Sequence, residues 1–169
     1  MVSKNKDLSQ FDKTQVPDAS AFCFGIVTAE WNPQITNTLL EGAGQTLKQF
    51  NCKQENIYSI RVPGSYELTA GAHFLLQNYK LDAVICLGCV IQGETRHFEF
   101  ICNAVANGLT ELSIKSAKPV IFGVLTTDNM EQALERAGGK HGNKGVEAAV
   151  TAIKMAGLKN TISPAKMGF

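Results

Sequence analysis

The stretch DAVICLGCV, from Asp82 to Val90, carries the clearest fold signal, because so continuous an apolar run predicts a strand that is buried on both faces. Similar β-rich apolar runs span 21–28, 56–62 and 118–126, and longer segments with helical periodicity separate them. Strands and helices that alternate in this way form a parallel sheet with helices on both faces. The sequence therefore predicts a single α/β domain of three layers, with a four-stranded parallel sheet in the middle.

The helical segments give the expected element order βαβαβαβαα. Asn32 and Pro33 form an N-cap and first-turn pair that opens the first helix. The second helix is expected to begin near Ser65 and the third near Thr95, each with its apolar side chains along one face.

The last two helices are bounded by capping and glycine signals. Asp128 and Glu131 stand at capping-box spacing, and they predict a fourth helix of about ten residues that stops at Gly138. The final helix is expected over 143–155, with its end at Gly157.

Both ends of the chain are expected to lie outside the packed domain, which spans 21–158. Residues 1–20 are polar and of mixed charge, so they predict a disordered arm rather than a signal peptide or membrane span. Pro164 predicts a loose C-terminal tail over 159–169. A cytoplasmic location is the resulting expectation.

Composition limits the class of protein. A chain of 169 residues, 44% of them hydrophobic, is long enough for one domain with a real core. Its 16 basic and 15 acidic side chains give a net charge of +1, so no global field attracts nucleic acid or an anionic membrane. Neither partner is therefore expected, and any anion site must be local.

The cysteines suggest structural thiols. The five are Cys23, Cys52, Cys86, Cys89 and Cys102. An odd number, mostly in apolar stretches, is typical of buried thiols in a reducing compartment. Cys86 and Cys89 form a CxxC motif, but residues three apart in a strand point to opposite faces. This pair is therefore not expected to form a disulfide or to bind one metal ion.

Ligands of open parallel sheets bind outside the carboxyl ends of the strands, so the residues after each strand form one candidate set. After the first strand, Trp31 offers a flat face on which a heteroaromatic ring can stack; alternatively, it covers the core or a subunit interface. After the second strand, the Ser65 hydroxyl and the Glu67 carboxylate could bind a polyol or ring N–H groups. The alternative there is an ordinary helix cap.

The loop after the third strand, from Gly88 to His97, outlines a phosphate site. Its glycines permit a close approach, and the following helix directs free N–H groups and a positive dipole end at the turn. His97, expected one turn into this helix, would lie beside the anion, where an imidazole can move protons near neutral pH. A lone polar surface or capping residue is the alternative for His97.

Arg136 follows the fourth strand on the short fourth helix. Its planar guanidinium suits phosphate, although a solvated helix charge is the simpler interpretation. The nearby segment GGKHGNKG, residues 138–145, is not a Walker motif, because it lacks the preceding strand and the Lys-Ser/Thr end.

Taken together, these motifs resemble the lumazine synthase family from about Phe22 to Gly157. Five segments carry the resemblance through their order and spacing: Trp31-Asn32, PGSYEL at 63–68, GCVIQGETRHFEF at 88–100, FGVLTTDN at 122–129 and ERAGGKHGNKG at 135–145. The resemblance implies a flavodoxin-like fold. It also implies condensation of 5-amino-6-(D-ribitylamino)uracil with (S)-3,4-dihydroxy-2-butanone 4-phosphate to 6,7-dimethyl-8-ribityllumazine, phosphate and water, with no cofactor or metal.

The resemblance further implies a role for each matching position, with His97 as the general acid/base. The implied ribitylaminouracil site comprises Trp31, Ser65, Tyr66, Glu67, Cys89, Val90 and Ile91, together with Phe122 and Lys144 of a neighbouring subunit. The implied butanone phosphate site comprises Glu94 and Thr95, together with Arg136 of a neighbouring subunit. Two positions depart from the commonest family pattern. Trp31 stands where phenylalanine is more frequent, which favours flavin-like ligands, and Gln92 stands where a basic residue is frequent.

Assembly is implied by the same resemblance. Members of the family form pentamers. The GGKHGNKG link resembles that of members whose pentamers build sixty-subunit shells. Riboflavin synthase is the candidate associated protein. Two rival hypotheses remain: a structural cage protein without activity, and a flavin-binding carrier that binds riboflavin without turnover. The intact set that includes His97 and Arg136 distinguishes the enzyme from the cage protein, and turnover distinguishes it from the flavin carrier.

Overall fold

A four-stranded parallel sheet forms the centre of the domain in the computed structural model, which describes Asp7 and residues 9–162. Its strands are β1 (Phe24–Ala29), β2 (Ile57–Val62), β3 (Ala83–Ile91) and β4 (Val120–Thr127). They lie in the order β2-β1-β3-β4, and Phe24 of β1 is in register with both Ile57 and Ala83. The predicted parallel sheet is confirmed.

Helices cover both faces of this sheet. They are α1 (Pro33–Gln49), α2 (Leu68–Asn78), α3 (His97–Ser116), α4 (Met130–Glu135) and α5 (Lys144–Thr161). Along β3, Ile85 and Leu87 pack with α1 and α5, whereas Val84 and Cys86 pack with α2 and α3. The three-layer prediction is therefore confirmed, and the apolar run of β3 is explained by burial on both sides.

Cys86 and Cys89 point to opposite faces of β3, as their spacing predicted. Cys86 belongs to the cluster under α2 and α3, and Cys89 belongs to the cluster under α1 and α5. Burial raises the pKa of the Cys89 thiol to about 11 and raises the pKa of Cys86 further, so both are neutral near pH 7. The two thiols act as small core side chains.

The start of α4 and the end of α5 differ from the prediction. Asn129, not Asp128, caps α4, because its side chain accepts the backbone N–H of Gln132, and the helix is only six residues long. Helix α5 runs through Gly157 to Thr161. A Cβ at Gly157 would lie 2.9 Å from the Pro17 ring, so this glycine allows Pro17 to approach the helix rather than ending it.

Residues between α4 and α5 form a hairpin that the sequence analysis did not predict. Strands β5 (Ala137–Gly139) and β6 (Gly142–Asn143) are antiparallel, with a register shift between Ala137 and Gly139. Gly138 and Gly142 adopt left-handed backbone angles, with φ of 103° and 81°, which explains the glycines of this segment. Helix α5 then begins with Asn143, whose side chain accepts the N–H of Gly145.

The described part of the predicted disordered arm packs on the domain. Residues 1–6 and 8 lie outside the described residues, but Lys13–Gln15 forms one helical turn, and Val16 and Ala19 are buried in the core. The Ala19 N–H donates to the Phe50 carbonyl oxygen over 2.7 Å. Residues 12–20 therefore pack on the domain, although a disordered arm was expected. Their apolar side chains are few, but Val16 and Ala19 face the core. Most of the predicted C-terminal tail, residues 163–169, is outside the described range.

Among the described residues, no helix combines the length and the hydropathy that a membrane crossing requires.

Gly145 permits the closest approach of α5 to α1, so Gly145→Ala should be strongly destabilising. Its Cβ would overlap the Leu39 carbonyl oxygen, which is backbone and cannot rotate away. We expect the free energy of unfolding to fall by about 3 kcal/mol, measured by urea denaturation. Gly44→Ala is the matched control, because a Cβ there meets nothing within 4 Å and should stabilise α1 by about 1 kcal/mol. Equal urea midpoints for the two variants would contradict this packing.

Candidate functional site

A cleft of about 780 Å³ opens at the carboxyl ends of β1, β2 and β3. Its lining comes from the loops after β1 and β2, the end of β3 and the start of α3: Trp31, Asn32, Gly64, Ser65, Tyr66, Glu67, Cys89, Val90, Ile91, His97 and Ile101. The structure therefore brings together the candidate residues of the first two loops with the end of β3 and with His97, whereas Glu94 and Thr95 are not part of this lining. This is the location that the parallel sheet predicted.

The loop after β1 presents the tryptophan to the cleft. Asn32 adopts left-handed backbone angles of 57° and 55°, which asparagine tolerates better than most residues. The sequence predicted that the Asn32 side chain caps α1. Instead, its Nδ2 donates to the Cys89 carbonyl oxygen over 3.0 Å. This bond ties the loop to the end of β3. Trp31 remains 71% exposed, so its indole face is free for stacking in the described chain.

The turn after β2 supplies a buried hydroxyl and a carboxylate. Ser65 to Glu67 form one 3-10 turn ahead of α2, and the Gly64 N–H donates to Glu67 Oε2 over 3.0 Å. The Ser65 Oγ is buried and has no hydrogen-bond partner among the described residues. Gly88 makes room for it, because a Cβ there would lie 2.6 Å from that oxygen.

His97 is the first residue of α3 rather than one turn into it. The helix begins two residues later than predicted, because residues 92–96 form an exposed loop. The His97 backbone N–H contacts Thr95 Oγ1 at 3.4 Å, and its imidazole is exposed at the cleft. Glu94 and Thr95 therefore stand directly before a helix N-terminus, where backbone N–H groups and the helix dipole favour anions.

Phe122, Arg136 and Lys144 do not line the cleft of their own chain. Arg136 Nη1 donates to the His141 carbonyl oxygen over 2.7 Å and lies 2.8 Å from Glu147 Oε1. Lys144 Nζ lies 3.2 Å from the other oxygen of Glu147. The sequence analysis missed Glu147 as the shared partner of both cations, although its spacing of three from Lys144 on a helix is the signal of such a pair.

The side chains that line the cleft indicate which ligands it suits. It combines an indole, two hydroxyl groups, a carboxylate and an imidazole, but no lysine or arginine is among the described residues that line it. The described residues also contain no group of three histidine, cysteine or acidic side chains placed to hold a metal ion. The arrangement suits a flat polar ring with a hydroxylated chain, and proton transfer by His97.

The fold is that of a single-domain α/β protein, and its candidate site lies at the carboxyl edge of the parallel sheet. Residues 21–160 match the family described as 6,7-dimethyl-8-ribityllumazine synthase, and the chain belongs to this family of transferases. The resemblance found in the sequence is thereby confirmed.

Several proteins described as 6,7-dimethyl-8-ribityllumazine synthase are similar to this chain over nearly their whole length. A 6,7-dimethyl-8-ribityllumazine synthase of Cytophaga hutchinsonii is 59% identical over 155 residues, which cover 92% of this chain and 97% of the relative. Relatives of that name in Parabacteroides distasonis and Porphyromonas gingivalis are 56% and 50% identical. They are covered over 97% and 99% of their lengths, and they cover 92% and 94% of this chain.

Proposed function

We propose that the cleft is where 5-amino-6-(D-ribitylamino)uracil condenses with (S)-3,4-dihydroxy-2-butanone 4-phosphate to 6,7-dimethyl-8-ribityllumazine, with release of phosphate and water. Membership of the family over residues 21–160 supports the reaction. The observation that carries the location is a single cleft lined by Trp31, Ser65, Glu67 and His97, which come from the loop after β1, the turn after β2 and the start of α3.

The uracil substrate fits the chemistry of the inner cleft. Trp31 stacks on the pyrimidinedione ring in this proposal, and Cys89, Val90 and Ile91 form the wall behind it. The residues of the turn after β2, Ser65, Tyr66 and Glu67, hold the ribityl chain and the ring edge. The unpartnered Ser65 hydroxyl supports this assignment, because a buried hydroxyl gains most from a ligand that supplies its missing hydrogen bond.

The butanone phosphate is assigned to the mouth of the cleft at the N-terminus of α3. Glu94 and Thr95 supply backbone N–H groups and a hydroxyl there, and the twenty-residue helix adds the positive end of its dipole. His97, one residue beyond the loop, lies between this end of the cleft and the uracil site. It acts as the general acid/base for the proton transfers that accompany Schiff-base formation, phosphate elimination and ring closure.

A neighbouring subunit completes the site in this proposal, with Phe122 against the uracil ring and Arg136 and Lys144 as the missing cations. The absence of lysine and arginine from the described cleft lining supports this, since a phosphate ester is dianionic. Large apolar side chains also remain exposed, notably Phe100 at 65% and Ile114 at 76% on α3. A subunit interface would bury such side chains.

We therefore propose a homo-oligomer built from pentamers, further assembled into a sixty-subunit shell. Analytical ultracentrifugation tests both levels, because a pentamer and a shell differ twelvefold in mass. The association with riboflavin synthase and the cytoplasmic location stay predictions of the sequence analysis.

The activity is tested by mixing the purified protein with both substrates and following lumazine fluorescence together with phosphate release. We expect one phosphate for each lumazine formed. Folded protein that binds riboflavin but releases no phosphate would instead support the flavin-carrier hypothesis, and folded shells with neither property would support the structural cage.

Trp31→Ala should raise the KM for the ribitylaminouracil about tenfold, the scale of one aromatic stacking contact, with little change in the KM for the butanone phosphate. Trp31→Phe is the control, because it keeps a ring at the same position. Trp31 is the only tryptophan, so quenching of its fluorescence reports directly on the uracil site in the unmodified protein. A KM unchanged by Trp31→Ala would remove Trp31 from the binding site.

A further inference from the structure

Arg136 depends on the tip of the β5–β6 hairpin for its orientation. Its side chain is 17% exposed, and Nη1 donates to the backbone carbonyl oxygen of His141 over 2.7 Å. Two groups therefore hold Nη1, the His141 carbonyl oxygen and Glu147 Oε1, which lies 2.8 Å away. Whatever fixes the turn at Lys140 and His141 contributes to the direction in which Arg136 presents its remaining N–H groups.

The hairpin itself has few backbone contacts to hold it. Strands β5 and β6 have three and two residues, and two-stranded ribbons of this size are not stable by themselves. Gly138 and Gly142 add backbone freedom on either side of the turn. The turn is closed by the His141 N–H, which donates to the Glu135 carbonyl oxygen over 3.0 Å.

The Glu135 carboxylate bridges the base of the hairpin to both residues of its tip. Oε1 lies 2.6 Å from Lys140 Nζ, and Oε2 lies 3.6 Å from His141 Nε2. Lys140 is mostly exposed, so its ion pair contributes little, whereas the His141 imidazole is only 16% exposed. His141 Nδ1 is buried without a hydrogen-bond partner among the described residues, and Nε2 is the ring nitrogen that lies beside the carboxylate.

We infer that His141 is a positioning residue for Arg136: its imidazole, packed beside Glu135, holds the carbonyl group that orients the guanidinium. The inference rests on the proposed role of Arg136 at the phosphate of the butanone substrate. His141 touches no substrate and takes no part in proton transfer. It acts only through its own backbone oxygen.

The test compares His141→Ala, His141→Gln and Lys140→Ala in the full assembled protein. We expect His141→Ala to raise the KM for the butanone phosphate, and the inhibition constant of inorganic phosphate, about three- to tenfold, the scale of one hydrogen bond. The KM for the ribitylaminouracil should stay unchanged. His141→Gln, which keeps an N–H donor near the Nε2 position, should restore most of the affinity, and Lys140→Ala should have no effect.

Two outcomes would overturn the inference in distinguishable ways. In the first outcome, Arg136→Ala raises the KM for the butanone phosphate, but His141→Ala either leaves this KM unchanged or raises the KM for both substrates equally. The positioning role of His141 is then wrong, and the phosphate role of Arg136 stands. If Arg136→Ala itself leaves the KM for the butanone phosphate unchanged, the proposed phosphate site and the inference fail together.

Discussion

Replacing Arg136 by alanine should raise the KM for the butanone phosphate about ten- to a hundredfold, the scale of a hydrogen bond to a charged group, and leave the KM for the ribitylaminouracil within about twofold. The reason is that the described cleft has no cation of its own. Steady-state kinetics with each substrate varied in turn measure the two constants separately.

The fold should survive this change, because Glu147 keeps Lys144 Nζ at 3.2 Å as a partner when Arg136 is lost. Thermal unfolding of the variant checks this. Arg136→Lys is the graded control: it retains the positive charge but not the planar fork, so we expect an intermediate KM. An equal rise in the KM for both substrates would count against the assignment of Arg136 to the phosphate.

Replacing His97 by asparagine should lower kcat about ten- to a thousandfold without abolishing turnover, the usual contribution of a general acid/base or somewhat less. Positioning of the two substrates supplies much of the remaining acceleration. The His97 imidazole is exposed, so its removal should not change stability. Rapid-quench measurement of phosphate release under saturating substrates isolates this effect on kcat.

His73→Asn is the matched control for His97, because His73 is also an exposed helical histidine but lies on α2, outside the cleft lining. It should retain the wild-type kcat. A His97→Asn enzyme with full kcat would show that this imidazole is a surface residue, which was the alternative given by the sequence.

The sheet and the general place of the site could be predicted because buried strands have a recognisable apolar sequence pattern. The run from Asp82 to Val90 is apolar at successive positions, and the structure buries both faces of β3. Parallel strands also bring their carboxyl ends to one edge, so residues as distant as Trp31, Ser65 and His97 could be grouped before any distance was known.

Features that depend on tertiary contacts could not be predicted in the same way. Gly157 has the sequence signal of a helix end, yet the helix continues through it, and the missing side chain leaves room for Pro17. The β5–β6 hairpin depends on glycines with positive φ and on contacts with Glu135, which have no periodicity to detect. Arg136 is tied to Glu147, a residue that no loop motif includes.

We propose that each active site is shared between two subunits, and co-assembly of His97→Asn with Arg136→Ala subunits tests this sharing. In equal random mixtures, about one quarter of the interfaces in a closed ring join an intact His97 to an intact Arg136. With the butanone phosphate well below its wild-type KM, where both variants are slow when assembled alone, we therefore expect about a quarter of the wild-type rate of lumazine formation. Under the same conditions, a rate no higher than the average of the two variants assembled separately would contradict the shared site and confine catalysis to a single chain.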